Sequence, residues 1–330
     1  MQEKRIIDLK VPKSWRACSA KDLEEVVEAK LEGGTVLSVD DDNMAWKTKA
    51  LLRLANLEVV DVPEVKEGED MYLLVEWKQP KRSLLQRLLH REKKKPPFPL
   101  YSWQLHDAIR NNLSWLDREP DIVKFPYPTW VMKGKEFRGP GTFLSDWTWT
   151  QYQLVQDYMQ YFLKVTDMAA KMTKNKIHLR EQRKLSQQLQ TARAMLLATI
   201  YVQEVDYIDA ETNLPKRGWR FVSGQSEDNS KYFQEFPEMQ FQVVLLWWSS
   251  MMTYLHRTYP KCFSTKNEKR KTKDKRPTDP TILYARLTAT MEKYMGTDEQ
   301  TLGKENFKVV LQHLNDMVQH NEELERMKRK

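Results

Sequence analysis

Residues 238–263 read EMQFQVVLLWWSSMMTYLHRTYPKCF, the longest apolar run of the chain, with two adjacent tryptophans and two adjacent methionines. Whether this run is a membrane anchor, a binding surface or the inside of a helical core decides how the rest is read. Only seventeen residues separate Glu238 from His256, and Gln240, Gln242, Ser249 and Ser250 interrupt them. A spanning helix needs roughly twenty predominantly apolar residues. The apolar positions also surround the helix instead of forming one narrow stripe, the pattern of a central helix packed on several sides. The run is therefore expected to be the hub of a helical core.

Working outward, the 330 residues are 40% apolar and 11% aromatic, enough for one large domain or two ordinary ones. The start, MQEKRIIDLKVPKSW, is charged and lacks an apolar h-region, so no secretory signal is read there. Cys18 and Cys262 stand 244 positions apart with no other cysteine. That argues against a zinc ribbon, a redox pair and a disulfide framework, and leaves two small buried thiols as the expectation. The net charge of +8 is unevenly placed: Lys81–Lys95 carries +6 and Ser264–Arg276 carries +5, which leaves the rest at −3. The body is acidic and wears basic segments.

Local signals divide the chain. Ser19 before AKDLEEVVEAKLEGG supplies a helix cap, acids in the first turns and a Gly33-Gly34 stop. MAWKTKALLRLAN has helical spacing, and LEVVDV and MYLLVEW read as two strands of a hairpin. The expectation is a small α+β unit over residues 1–78, then a basic, proline-rich linker over 79–101 containing a short helix. Residues 102–330 follow as a helical domain with a mobile basic loop at 264–278. In it, the segment PDIVKFPYPTWVMKGKEFRGPG is too rich in proline and glycine to predict regular structure. Residues 206–232 read as a polar insertion. The fold class expected is mainly α: the small unit with its two-stranded hairpin, followed by a bundle of about six helices.

Catalytic signatures are mostly absent: no Walker loop, no GxGxxG after a strand, no GxSxG and no HExxH. The six histidines are scattered, the closest pair seven positions apart, with no third ligand in view. Asp40-Asp41-Asp42 lacks the alternating ligands and terminal glutamate of a calcium loop and reads as a turn and helix cap. No enzyme, cofactor or metal is expected. The aromatic surplus is more suggestive, since Trp103, Trp115, Trp130, Trp147 and Trp149 cluster in sequence and tryptophan concentrates in interface hot spots as well as in cores. In the last helix, Phe307, Val310, Leu311, Leu314, Met317 and Val318 form an apolar stripe; beyond it only Leu324 and Met327 interrupt a polar end suited to a partner groove. Lys266, Lys269, Arg270, Lys271, Lys273, Lys275 and Arg276 are the candidates for phosphate contacts if a nucleic acid is bound.

Several stretches taken together resemble one group of proteins: IIDLKVPKSW (6–15), ALLRLANLEVV (50–60), WTQYQLVQDYMQYFL (149–163), AMLLATIYV (194–202) and VVLLWWSSMMTYLHRTYPKCF (243–263). They have the look of prophage and phage tail-module proteins of gut anaerobic bacteria. The resemblance implies a non-enzymatic morphogenesis protein, a tail assembly chaperone or structural connector acting by protein–protein contact with tube or tape-measure proteins. It also implies residence in the host bacterial cytoplasm or the virion; no membrane partner is expected, from the shortness of the apolar run. The basic stretches have no counterpart in it. They support the alternative, a DNA-binding or packaging accessory using residues 81–95 and 264–276. Oligomeric state stays open.

Overall fold

The computed structural model describes residues 9–32, 44–64, 70–78, 96–173, 179–209, 212–263 and 280–328. Among them are ten α-helices and two antiparallel sheets of three and four strands, interleaved along the chain. The expected mainly-α chain, one hairpin and then a bundle, is therefore corrected to an α/β mixture. Two compact units emerge, Met1–Ile122 with Glu238–Ser250, and Val123–Pro237 with Met251–Lys330. The basic helix expected within 79–95 and the basic loop at 264–278 lie outside the described residues.

In the first unit, α1 (Ala20–Leu31) opens with a capping box: the Ser19 hydroxyl accepts from the Asp22 N–H at 3.2 Å, and the Asp22 carboxylate accepts from the Ser19 N–H at 2.8 Å. Its buried Leu23, Val26 and Val27 recur at helical spacing. Helix α2 (Met44–Leu54) packs against it, and Arg53 reaches back to Glu25 and Glu28 of α1 and to Glu32 just past its end. Partial burial works against the Arg53 charge, but Glu28 and Glu32 outweigh it and hold the guanidinium above its ordinary pKa. The sheet has the order β1 (Leu57–Asp61), β2 (Tyr72–Trp77), β3 (Phe98–Tyr101). Strand β3 falls in the expected linker. Pro99 argued against a strand, but β3 is an edge, where a missing N–H leaves no ladder bond unmade. Helix α3 (Ser102–Asn112) follows directly, and Trp115 and Trp15 pack edge-on at 4.8 Å.

The second unit contains the larger correction. Thr129–Met132 (β4) and Lys135–Arg138 (β5) form a hairpin in the stretch expected to be irregular. Its two-residue turn, Lys133-Gly134, has φ of 50° and 76°. Both values lie in the left-handed region that matches the twist of paired strands, so one glycine sufficed to make a hairpin where the sequence suggested only a break. Val202–Ile208 (β6) and Pro215–Arg220 (β7) complete the order β4-β5-β6-β7, and they lie in and beside the expected polar insertion. Their residues looked polar because much of this sheet is open to solvent. Helices α4 (Trp149–Thr173) and α5 (Leu179–Ile200) pack along one another; the buried Gln151 amide donates to the Thr199 and Ile200 carbonyls at 2.9 and 3.3 Å, satisfying the end of α5. The short α6 (Gln225–Ser230) lies against α5.

Helix α7 (Glu238–Thr258) is the quoted apolar run. Phe241, Val243, Val244, Leu246, Trp247, Trp248, Met251 and Leu255 are all buried, positions that cover its circumference. Ser250 sits among them and returns its hydroxyl to the Leu246 carbonyl. No helix among the described residues is long and apolar enough to cross a membrane. The chain continues through α8 (Pro280–Met295), α9 (Glu299–Lys304) and α10 (Phe307–Lys328).

Candidate protein-binding surface

The five tryptophans singled out as interface candidates have separate fates. Trp115 is buried, its indole N–H shared between the Pro12 and Asn112 carbonyls at 3.0 and 2.9 Å, so it fastens the N-terminal segment. Trp147 and Trp149 are also buried. Trp130 on β4 is half-buried, donates to the Tyr232 carbonyl at 3.3 Å and lies 4.7 Å from the Phe236 ring. Trp103 on α3 is exposed. As placed, the three buried indoles serve as anchors, because a ring enclosed by its own chain offers no surface to a partner.

Trp147 and Trp149 nonetheless build the candidate surface, by fixing where α10 begins. Trp149 donates its backbone N–H to the Glu305 carbonyl at 2.8 Å, and Phe307 donates to the Trp147 carbonyl at 3.2 Å. The Trp149 ring stacks on Tyr152 at 5.8 Å, and Tyr152 stacks on Phe307 at 5.1 Å. Just upstream, Phe143 and Leu144 hold left-handed φ of 56° and 57°, rare for side-chain-bearing residues. That backbone places the Phe143 ring 4.7 Å from Tyr254, with the Lys308 ammonium 5.7 and 5.8 Å from the two ring centres. Burial lowers the Lys308 pKa, and Asp146 partly offsets it.

Further along α10, Val310, Leu311 and Leu314 are buried, and the helix is tied three times more. The Lys261 N–H donates to Asn315 at 3.1 Å while its ammonium pairs with Glu322, and the Cys262 thiol donates to the Leu311 carbonyl at 3.3 Å. Beyond Glu322 the helix continues with Leu324 at 38% and Met327 at 64% exposure, three residues apart and so neighbours on the helix surface. The apolar candidates of the helix end are thus presented on an element whose base is held rigidly.

A second feature of this unit was not foreseen. Gln203, Arg220, Gln225, Ser226 and Asn229 line a shallow cleft beside β6, β7 and α6. The Gln203 and Gln225 amides bond each other. The Ser226 hydroxyl is buried there with no protein partner. Its donors and acceptors could hold a water or a small polar group; no carboxylate, imidazole or lysine stands among its lining residues to act as a base toward the Ser226 hydroxyl. Glutamines and a serine in a polar stretch gave no sequence signal for it.

Both thiols are half-buried and free; burial, reinforced by Asp22, pushes Cys18 up to about 12, and burial, reinforced by Asp316, pushes Cys262 up to about 11. They are protonated and inert at neutral pH. No His, Cys, Asp and Glu grouping suited to a metal ion occurs among the described residues. The nucleic-acid candidates Lys266, Lys269, Arg270, Lys271, Lys273, Lys275 and Arg276 lie outside those residues. No protein-family model, curated protein or solved structure matches this chain.

Proposed function

We propose that the chain works by protein–protein contact, as a non-enzymatic component of phage tail assembly of the kind its sequence resemblance implies. The observation that carries the reading is the end of α10, where Leu324 and Met327 stand exposed past the Lys261–Glu322 ion pair. An amphipathic helix end held at its base is a ready helix-in-groove ligand, since the ordering cost of the helix has already been met within the fold. Tube or tape-measure proteins are the partners proposed, and a chaperone or connector the role.

The test is co-expression with the products of the flanking genes, comparing the full chain with Leu324→Asp, Met327→Asp and a chain ending at Glu323, which keeps the Glu322 pair with Lys261. Recovery of a tail-type partner should fall in all three while thermal melting stays unchanged, because exposed substitutions usually cost less than about 0.5 kcal/mol. Equal recovery overturns the proposal. Retention of duplex DNA by full chain and truncation alike, without a protein partner, would instead support the DNA-binding accessory.

A further inference from the structure

The open edge of the first sheet offers a second, independent contact. Strand β1 ends the sheet order, with no described strand on its outer side. Its residues beyond Leu57 are all exposed, among them Val59 at 39% and Val60 at 50%, and Val62 follows at 60%. An apolar strand edge left open is a template for another strand, and proteins generally blunt such edges.

The backbone of this edge is oriented to receive one. Lys78 donates its N–H to the Asn56 carbonyl at 2.8 Å, which makes Asn56 and Lys78 a hydrogen-bonded pair. The register continues Leu57 opposite Trp77, Glu58 opposite Glu76 and Val59 opposite Val75. In an antiparallel ladder the bonded and non-bonded pairs alternate, so Glu58 bonds toward β2 while Val59 turns its N–H and C=O outward. The register then shifts between Val59 and Asp61, a bulge that limits the useful edge to the residues before and around it.

Charge selects the occupant. Glu58 and Glu76 stand directly opposite one another on one face, an arrangement that costs stability. Asp61, opposite Leu74, adds a carboxylate to the same face. Neither Glu58 nor Asp61 forms an ion pair with a described residue. A second copy of β1 would bring two more carboxylates and no cation, so the edge disfavours self-pairing in any register. A strand alternating lysine or arginine with apolar residues would set its cations beside Glu58 and Asp61 and its apolar side chains beside Val59. We propose that β1 is a strand-addition site for an extended basic, apolar-alternating segment of a partner protein, distinct from the end of α10.

The probes are a fluorescein-labelled peptide of alternating lysine and valine, its glutamate-valine counterpart, and the lysine peptide N-methylated at alternate residues. The full-length protein should bind the lysine peptide, and N-methylation should weaken binding at least about tenfold by removing its backbone donors. Binding should also protect the Val59 amide from hydrogen exchange, while the Glu58 amide, already bonded to β2, is protected with or without peptide. Glu58→Lys with Asp61→Lys should invert the charge preference, and Val59→Pro should abolish binding if circular dichroism shows the fold intact. Equal binding of the methylated peptide, or no new protection at Val59, overturns strand addition whatever the variants do. Stronger binding of the glutamate peptide overturns the choice of a basic partner, and concentration-dependent dimerisation through β1 overturns the exclusion of a second copy.

Discussion

The two sheets of this protein differ in how their charged groups meet solvent. In the four-stranded sheet, although Val131 and Ile208 are exposed, charged groups are paired across the strands: the Arg138 guanidinium lies 4.0 Å from the Trp219 ring centre, Arg220 lies 3.4 Å from that of Tyr207, and Glu204 pairs with Arg217 at 2.9 Å. Gly218 leaves room on that surface for the Tyr207 ring, so the weakest residue of β7 is covered by its neighbour. Even the turn closes on itself, since Asp209 accepts from the Thr212 N–H and hydroxyl and from Lys216, bonds that hold its carboxyl well below the usual range. In the three-stranded sheet the edge keeps bare valines, and its cross-strand charges repel. The difference separates a sheet whose polar groups serve its own stability from one whose edge is left for something else.

The sharpest break of the contrast lies beneath the larger sheet. Phe233 is fully buried among Phe137, Tyr201 and Phe236 at ring distances of 5.0 to 6.4 Å. Phe233→Ala should cost about 3–5 kcal/mol in a denaturant titration. A cost under about 1 kcal/mol would mean that the cluster does not support the sheet. Next is Gly139→Ala, whose added Cβ would overlap the Phe125 ring; overpacking of this kind should lower stability by about 1–3 kcal/mol, read from the same titration.

Smaller effects sharpen the comparison at the surface. Arg220→Ala removes the cation over Tyr207 and should cost about 0.5–1 kcal/mol, whereas Arg220→Lys should recover only part because an ammonium cannot stack flat on the ring. Val60→Thr at the open edge should change stability by less than about 0.5 kcal/mol. If Val60→Thr destabilised the fold as much as Arg220→Ala, the edge would be carrying internal packing and the contrast between the sheets would fail.

Much of the local structure was legible. The capping box at Ser19 and Asp22, the pairing of LEVVD with YLLVEW, and the helix through residues 238–258 follow from spacing and side-chain chemistry within a few residues. The hairpin at Lys133-Gly134 and strands β6 and β7 were not, because strands half open to solvent lose the alternation that marks a buried face. The tryptophans were ambiguous for a different reason. Indoles suit cores and interfaces equally, and nothing local to Trp147 or Trp149 tells which.

What the sequence by itself determined about this protein is the position of its strongest helices, its two isolated cysteines and the apolar residues at the end of α10. Tertiary structure alone decided that Trp115, Trp147 and Trp149 are anchors, that Leu324 and Met327 stand exposed past the Lys261–Glu322 ion pair, and that the valines of β1 stay uncovered. The reason is that helix caps and periodicity depend on neighbours three or four positions away. Burial of a given ring, or exposure of a given edge, depends on partners such as Glu305 for Trp149 or Glu322 for Lys261, which are 61 to 156 positions distant in the chain.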